Sequence, residues 1–120
     1  MESAEKARRA ACLADEKKAE DILVLDVRGL CNFTDFFVVC TGRSSLQLRA
    51  IGDYIALELG KSGAKPFSVQ GRGQENWMVL DFGDFVVHIM SEEARRYYAL
   101  ETLWGDARVL NTGTTDDSID

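Results

Sequence analysis

The stretch WMVLDFGDFVVHIM, Trp77 to Met90, is a strand, a tight turn and a second strand. Asp81-Phe82-Gly83-Asp84 supplies the turn, and a two-residue Gly83-Asp84 loop has glycine first, as a type II′ turn requires. That register sets Phe82 against Phe85 and Val79 against His88. A Phe82-Gly83 loop would oppose Asp81 and Asp84, and facing like charges are unfavourable. Either register gives the same two faces. Met78, Leu80, Phe85, Val87 and Ile89 form one, which is entirely apolar and must be core. Trp77, Val79, Asp81, Val86, His88 and Met90 form the other, which mixes large apolar groups with one carboxylate and the only histidine.

Two readings of that second face stand side by side. Helices cover it and His88 is a core histidine, or it is a partly open docking face. A tryptophan among aliphatic and sulfur-bearing neighbours with a few charges is what protein interfaces favour at their centres.

Working outward, DILVLDV (21–27) and DFFVVCT (35–41) are apolar, β-branched runs that read as buried strands. Between 42 and 63 the period changes, and Leu48, Ile51, Ile55 and Leu59 fall on one helical stripe. Ser44 and Gln47 have capping-box spacing. The single proline, Pro66, opens a short alternating segment, PFSVQ, which reads as an edge strand. SEEARRYYALETLWG (91–105) reads as one last helix, with Glu93, Tyr97, Leu100 and Trp104 on a stripe. At the start, residues 4–20 favour helix. Their apolar face (Ala7, Ala10, Ala11, Leu13, Ala14) is thin, so this helix is expected at the edge of the core and frayed.

The expected fold class is therefore α/β (α+β): a single mixed five-stranded sheet with helices packed on it. Residues 1–20 form an N-terminal helix on the core, 21–110 the α/β domain, and 111–120 a disordered acidic tail.

The chain has 120 residues, 46% of them hydrophobic, which fits one domain with a packed core. Its formal charge of -6 argues against direct nucleic-acid binding, which needs clustered Lys and Arg. A basic protein partner is compatible with that charge. Arg43, Arg49, Lys61, Lys65, Arg72, Arg95 and Arg96 are scattered and read as solvated. Arg43 and Arg72 are also placed to meet a phosphate at a partner's edge. Cys12, Cys31 and Cys40 have no paired spacing and are expected as reduced thiols of a cytoplasmic protein. No stretch approaches a membrane span, and the N-terminus has no apolar signal core.

Chemistry finds little support. One histidine without spaced cysteines does not make a zinc site. A Cys31–His88–Asp81 set lacks nucleophile context. TGRSS (41–45) resembles the Gly-Ser entry of nucleotidyltransferase domains, but the strand that follows, KPFSVQ, lacks the acidic pair that would hold magnesium. Helix capping accounts for it. No catalytic residue, metal or cofactor is expected.

Three spaced motifs carry a family resemblance. DILVLDVRGLCNFTDFFVVCTGRS, the hairpin's W-x-x-x-D-x-G-D-x-x-V-H block, and RRYYALETLW together resemble the Iojap/RsfS family of ribosomal silencing factors, over roughly residues 5–108. Cys31 departs from the serine usual there. The resemblance implies a nucleotidyltransferase-like topology without activity. It implies binding to the large ribosomal subunit through ribosomal protein L fourteen, where the small subunit would dock. Subunit joining is then blocked and translation damped in starvation or stationary phase. Organellar relatives act in large-subunit assembly. The alternatives are such an assembly factor, or a nucleotide-binding domain. Trp77, Asp81, Gly83, Asp84 and His88 match motif positions. The expected partner-binding residues are Trp77, Val79, Asp81, Asp84, His88 and Met90, with Asp81 and Asp84 facing basic side chains. An open apolar sheet face also allows a homodimer when the protein is free.

Overall fold

Seven consecutive buried residues, Phe36–Gly42, place strand β2 at the centre of the sheet. A strand covered on both faces must be apolar throughout, which is why this segment does not alternate. The computed structural model describes residues 2–110; the tail expected over 111–120 lies outside the described residues. β2 pairs antiparallel with β1 (Glu20–Asp26) and parallel with β5 (Phe85–Ser91). Beyond β5 lies β4 (Trp77–Asp81), then β3 (Ser68–Gln70) at one edge. The edge position expected from Pro66 is the one observed.

The sheet has six strands rather than five, in the order β3-β4-β5-β2-β1-β6. The extra strand, β6 (Arg108–Leu110), pairs antiparallel with β1, Val24 facing Leu110 and Leu25 facing Val109. Three residues are too few to show a period of two, so nothing in the sequence marked it.

Helices α1 (Ser3–Glu16) and α2 (Ser45–Lys61) cover the first face. All five apolar positions of α1 are fully buried, which corrects the expectation of a frayed helix at the core's edge. Small alanine side chains let α1 come close to α2 and the sheet, so a thin stripe here means tight packing. In α2, Leu48, Ile51, Ile55 and Leu59 are buried as expected. Each such side chain contributes about 1.5–3 kcal/mol on leaving water. A methyl group at Gly52 would sit 2.5 Å from Met78 Cε, so a larger residue there would push the Met78 side chain aside where α2 lies on β4.

Ser44 Oγ caps α2, accepting the Gln47 N–H at 3.1 Å. The reciprocal half of the capping box is shifted. Gln47 Oε1 accepts the Arg43 N–H at 2.6 Å, while Nε2 donates to the carbonyls of Lys17 and Lys18. One side chain thus ties the start of α2 to the end of α1.

The second face carries α3 (Glu92–Tyr98) and α4 (Leu100–Leu103). The single helix expected over 91–105 is broken at Ala99, which caps α3 in the left-handed region (φ 47, ψ 55). The break splits the expected stripe. Glu93 and Tyr97 stay exposed, whereas Leu100 turns in to pack with the second-face core. Arg95, read as solvated, is buried: Nη1 donates to Thr41 Oγ1 at 2.7 Å and Nε donates to the Glu101 carboxylate at 3.1 Å. Arg43 and Arg72, left open as phosphate contacts, are occupied by Glu20 and Asp53.

Candidate partner-binding face

The hairpin has the register expected for a Gly83-Asp84 loop. Val79 faces His88, Trp77 faces Met90, and the Phe82 N–H donates to the Phe85 carbonyl at 2.9 Å. Gly83 sits at φ 90, a conformation that costs an L side chain strain, and its N–H donates to Asp81 Oδ1 at 2.8 Å. Met78, Leu80, Phe85, Val87 and Ile89 are all buried in the first-face core, as the alternation requires.

The other side is divided. Val86 and Met90 are buried with Phe37, Ala94 and Leu100. Met90, expected at the exposed apolar centre, is 0% accessible, because α3 and α4 close over that end of the sheet. It supports the face from beneath. Trp77, Val79, Asp81 and His88 remain half-buried on the part the helices leave uncovered. Asp84 is taken elsewhere. Its carboxylate accepts from Ser3 Oγ at 2.7 Å and pairs with Lys6 Nζ at 2.8 Å, anchoring α1 to the turn. Burial pulls that carboxyl up, but the Lys6 and Ser3 hydrogen bonds outweigh it and hold Asp84 below the usual range.

Trp77 and His88 form the centre. The indole Nε1–H donates to His88 Nδ1 at 3.1 Å, which requires a neutral imidazole carrying its proton on Nε2. Burial enforces that state, pushing the pKa down to about 4 against a smaller opposing pull from Asp81. Nε2 itself is buried without a hydrogen-bond partner among the described residues. His88 is therefore a histidine of the second-face core that holds a half-exposed tryptophan in place.

Aromatic rings extend the centre in both directions. Tyr98 lies 4.5 Å from Trp77, and Tyr97, 79% exposed, meets Tyr98 edge-on at 4.9 Å. On the other side, Phe37 stands at right angles to His88 at 5.0 Å and touches Trp104 at 5.5 Å. Beyond Trp104, Leu30, Phe33 and Leu103 are exposed apolar residues. The sequence reading missed Tyr97 and Tyr98 as part of this face because an unbroken helix would have set Tyr97 in phase with Leu100. The adjacent tyrosine pair was the available signal.

His88 Nδ1 is engaged by Trp77, not by Cys31 or Asp81. Cys40 is buried, and burial raises its thiol to about 12. Among the described residues no cluster of three or more His, Cys, Asp or Glu is placed to hold a metal ion, and no helix is long and apolar enough to cross a membrane.

The sequence model described as "Ribosomal silencing factor during starvation" matches residues 1–119. The chain belongs to this ribosomal silencing factor family. It is 41% identical over 98 residues to the ribosomal silencing factor RsfS of Bacillus subtilis, covering 82% of this chain and 83% of that one. It is 39% identical over 112 residues to a mitochondrial Iojap-related protein of Arabidopsis thaliana, covering 89% of this chain and 59% of the plant protein. A crystal structure of a Chromobacterium violaceum protein superposes with a TM-score of 0.84 at 32% identity, covering 88% of each chain. The names of these silencing factors describe regulation rather than catalysis. In this member of the family, Trp77, Tyr98 and Tyr97 form a continuous run of aromatic rings at the partly open side of the sheet.

Proposed function

We propose that this chain silences ribosomes without catalysis. It binds the large ribosomal subunit through ribosomal protein L fourteen and stands where the small subunit would dock, repressing translation in the cytoplasm during starvation or stationary phase. The observation that carries this reading is the open aromatic face centred on Trp77. Its apolar centre and sparse charge suit a protein partner, and the chain's charge of -6 suits a basic one. Trp77, Val79 and Tyr98 make the contact, Asp81 lies on its rim, and His88 and Met90 hold it from within. Asp84 acts one step away, by fixing the turn against α1. The same face is free to pair two copies when no subunit is present. Because binding and obstruction are one event, no chemistry is needed.

The test is sedimentation of purified protein with purified large subunits, followed by addition of small subunits. Stoichiometric co-sedimentation with loss of joined ribosomes is expected. Binding without a joining defect would replace silencing by a role in subunit assembly. Absence of binding would overturn the proposal.

A further inference from the structure

We infer that the depression beside Trp77 is a seat for one arginine side chain presented by a basic protein. This deepens the partner-binding reading and rests on it. Two shallow depressions meet at Trp77 and Asn76. One, about 250 Å³, is lined by Glu93, Ala94, Tyr97 and Tyr98 as well. The other, about 450 Å³, runs over Gly73, Gln74 and Glu75. An indole with two tyrosines around it offers the electron-rich faces that attract a cation, tryptophan most strongly. A carboxylate stands on either side, Glu75 in one depression and Glu93 in the other.

The electrostatics single these two acids out. Neighbouring acids are already matched: Glu92 pairs with Arg96, and Glu101 with buried Arg95. Neither Glu75 nor Glu93 takes part in any salt bridge or side-chain hydrogen bond among the described residues, and both are exposed. Guanidinium fits better than ammonium here. It is planar and weakly hydrated, so it can stack on the indole while its fork of donors reaches carboxylates on both sides. The Trp77 N–H is already spent on His88, so it is not a competing donor in the seat.

The probe is N-acetyl-arginine amide, titrated into the whole protein while the Trp77 indole N–H is followed by NMR, with Trp77→Phe identifying its signal against that of Trp104. The citrulline analogue has the same shape without charge. Saturable millimolar binding of the arginine probe is expected, about two- to fivefold stronger than that of the citrulline probe. Glu75→Gln and Glu93→Gln should each weaken it by a similar factor. Equal binding of the two probes, or no shift, would overturn the seat. Sedimentation with large subunits separates the two levels. If wild type binds subunits and the double glutamine variant binds them equally well, the seat is wrong and the partner reading stands. If wild type fails to bind subunits while the arginine probe binds, the partner reading fails and the seat stands.

Discussion

His88 makes the stability of this protein acid-sensitive as pH falls through the range below 6.5. It is the only histidine, and burial pushes its pKa from 6.5 down to about 4. A base whose folded pKa is depressed binds its proton more readily when unfolded. Between the two values the unfolded state therefore holds more protons, and stability falls as pH falls. With one pKa unit worth about 1.36 kcal/mol, the loss is about 1 kcal/mol at pH 6 and about 2 kcal/mol at pH 5, approaching about 3 kcal/mol below pH 4. The contribution is intact above pH 6.5. Asp26, Asp53 and Asp84 also have lowered values, from an ordinary 3.8, so their stabilisation is lost at still lower pH and barely enters at pH 5. Protonation also has a geometric cost: an imidazolium cannot accept the Trp77 N–H, and the indole loses the bond that orients it. Urea unfolding at pH 7.5, 6 and 5, with His88→Gln as reference, isolates the effect. Glutamine does not titrate, so the difference between the two proteins should change by about 2 kcal/mol across the series. The imidazole carbon-bound proton should titrate near pH 4 by NMR. A midpoint at 6 or above, or parallel stability curves for the two proteins, would refute the burial argument.

Other consequences follow from the same geometry. Trp77→Ala should weaken binding to large subunits by roughly 30-fold, about 2 kcal/mol, with the circular dichroism of the fold retained; co-sedimentation measures it. Met90→Ala should instead lower unfolding stability by about 2–5 kcal/mol, since a fully buried side chain leaves a cavity. Ala99→Gly should raise stability by about 1 kcal/mol, because Ala99 holds a left-handed conformation that glycine adopts freely. Arg95→Ala should cost about 2 kcal/mol by denaturation, as buried Thr41 loses its donor while Glu101 can still reach water. A thiol reagent should label Cys12 and Cys31 in the native protein and reach Cys40 only on unfolding.

The parts of the fold legible in the sequence were those whose pattern repeats. Both central strands, the stripe of α2 and the two faces of the hairpin each show several residues in phase. The turn register was legible because Gly83 and the repulsion between Asp81 and Asp84 pointed the same way. What escaped was set by single residues or by tertiary contact. Ala99 breaks the last helix without a glycine or proline to announce it. β6 exists only because β1 offers an edge. Arg95 looks like any surface arginine until Thr41 and Glu101 are placed beside it. Of the candidate face, Trp77, Val79 and His88 were readable from alternation, whereas the burial of Met90 and the role of Tyr98 depend on where α3 lands.

The parallel pairing of β2 with β5 governs when the molecule can exist at all. This seam joins Phe36 to Phe85 and continues residue by residue to Gly42 and Ser91, so its two halves are separated by α2, β3 and β4. Contacts that close over such a length must overcome loop entropy before they return any stability, which slows folding. During synthesis, α1, β1 and β2 emerge first, with no strand to pair with the far edge of β2. α1 and α2 can cover Val38 and Cys40, but Phe37 and Val39 on the other face wait for α3 and α4, which follow β5, and the edge of β2 stays open until Ser91 has been added. A fragment ending before β5 therefore exposes an open strand edge and one apolar face, which makes it aggregation-prone, and completion of the domain is a late event in the synthesis of its own chain.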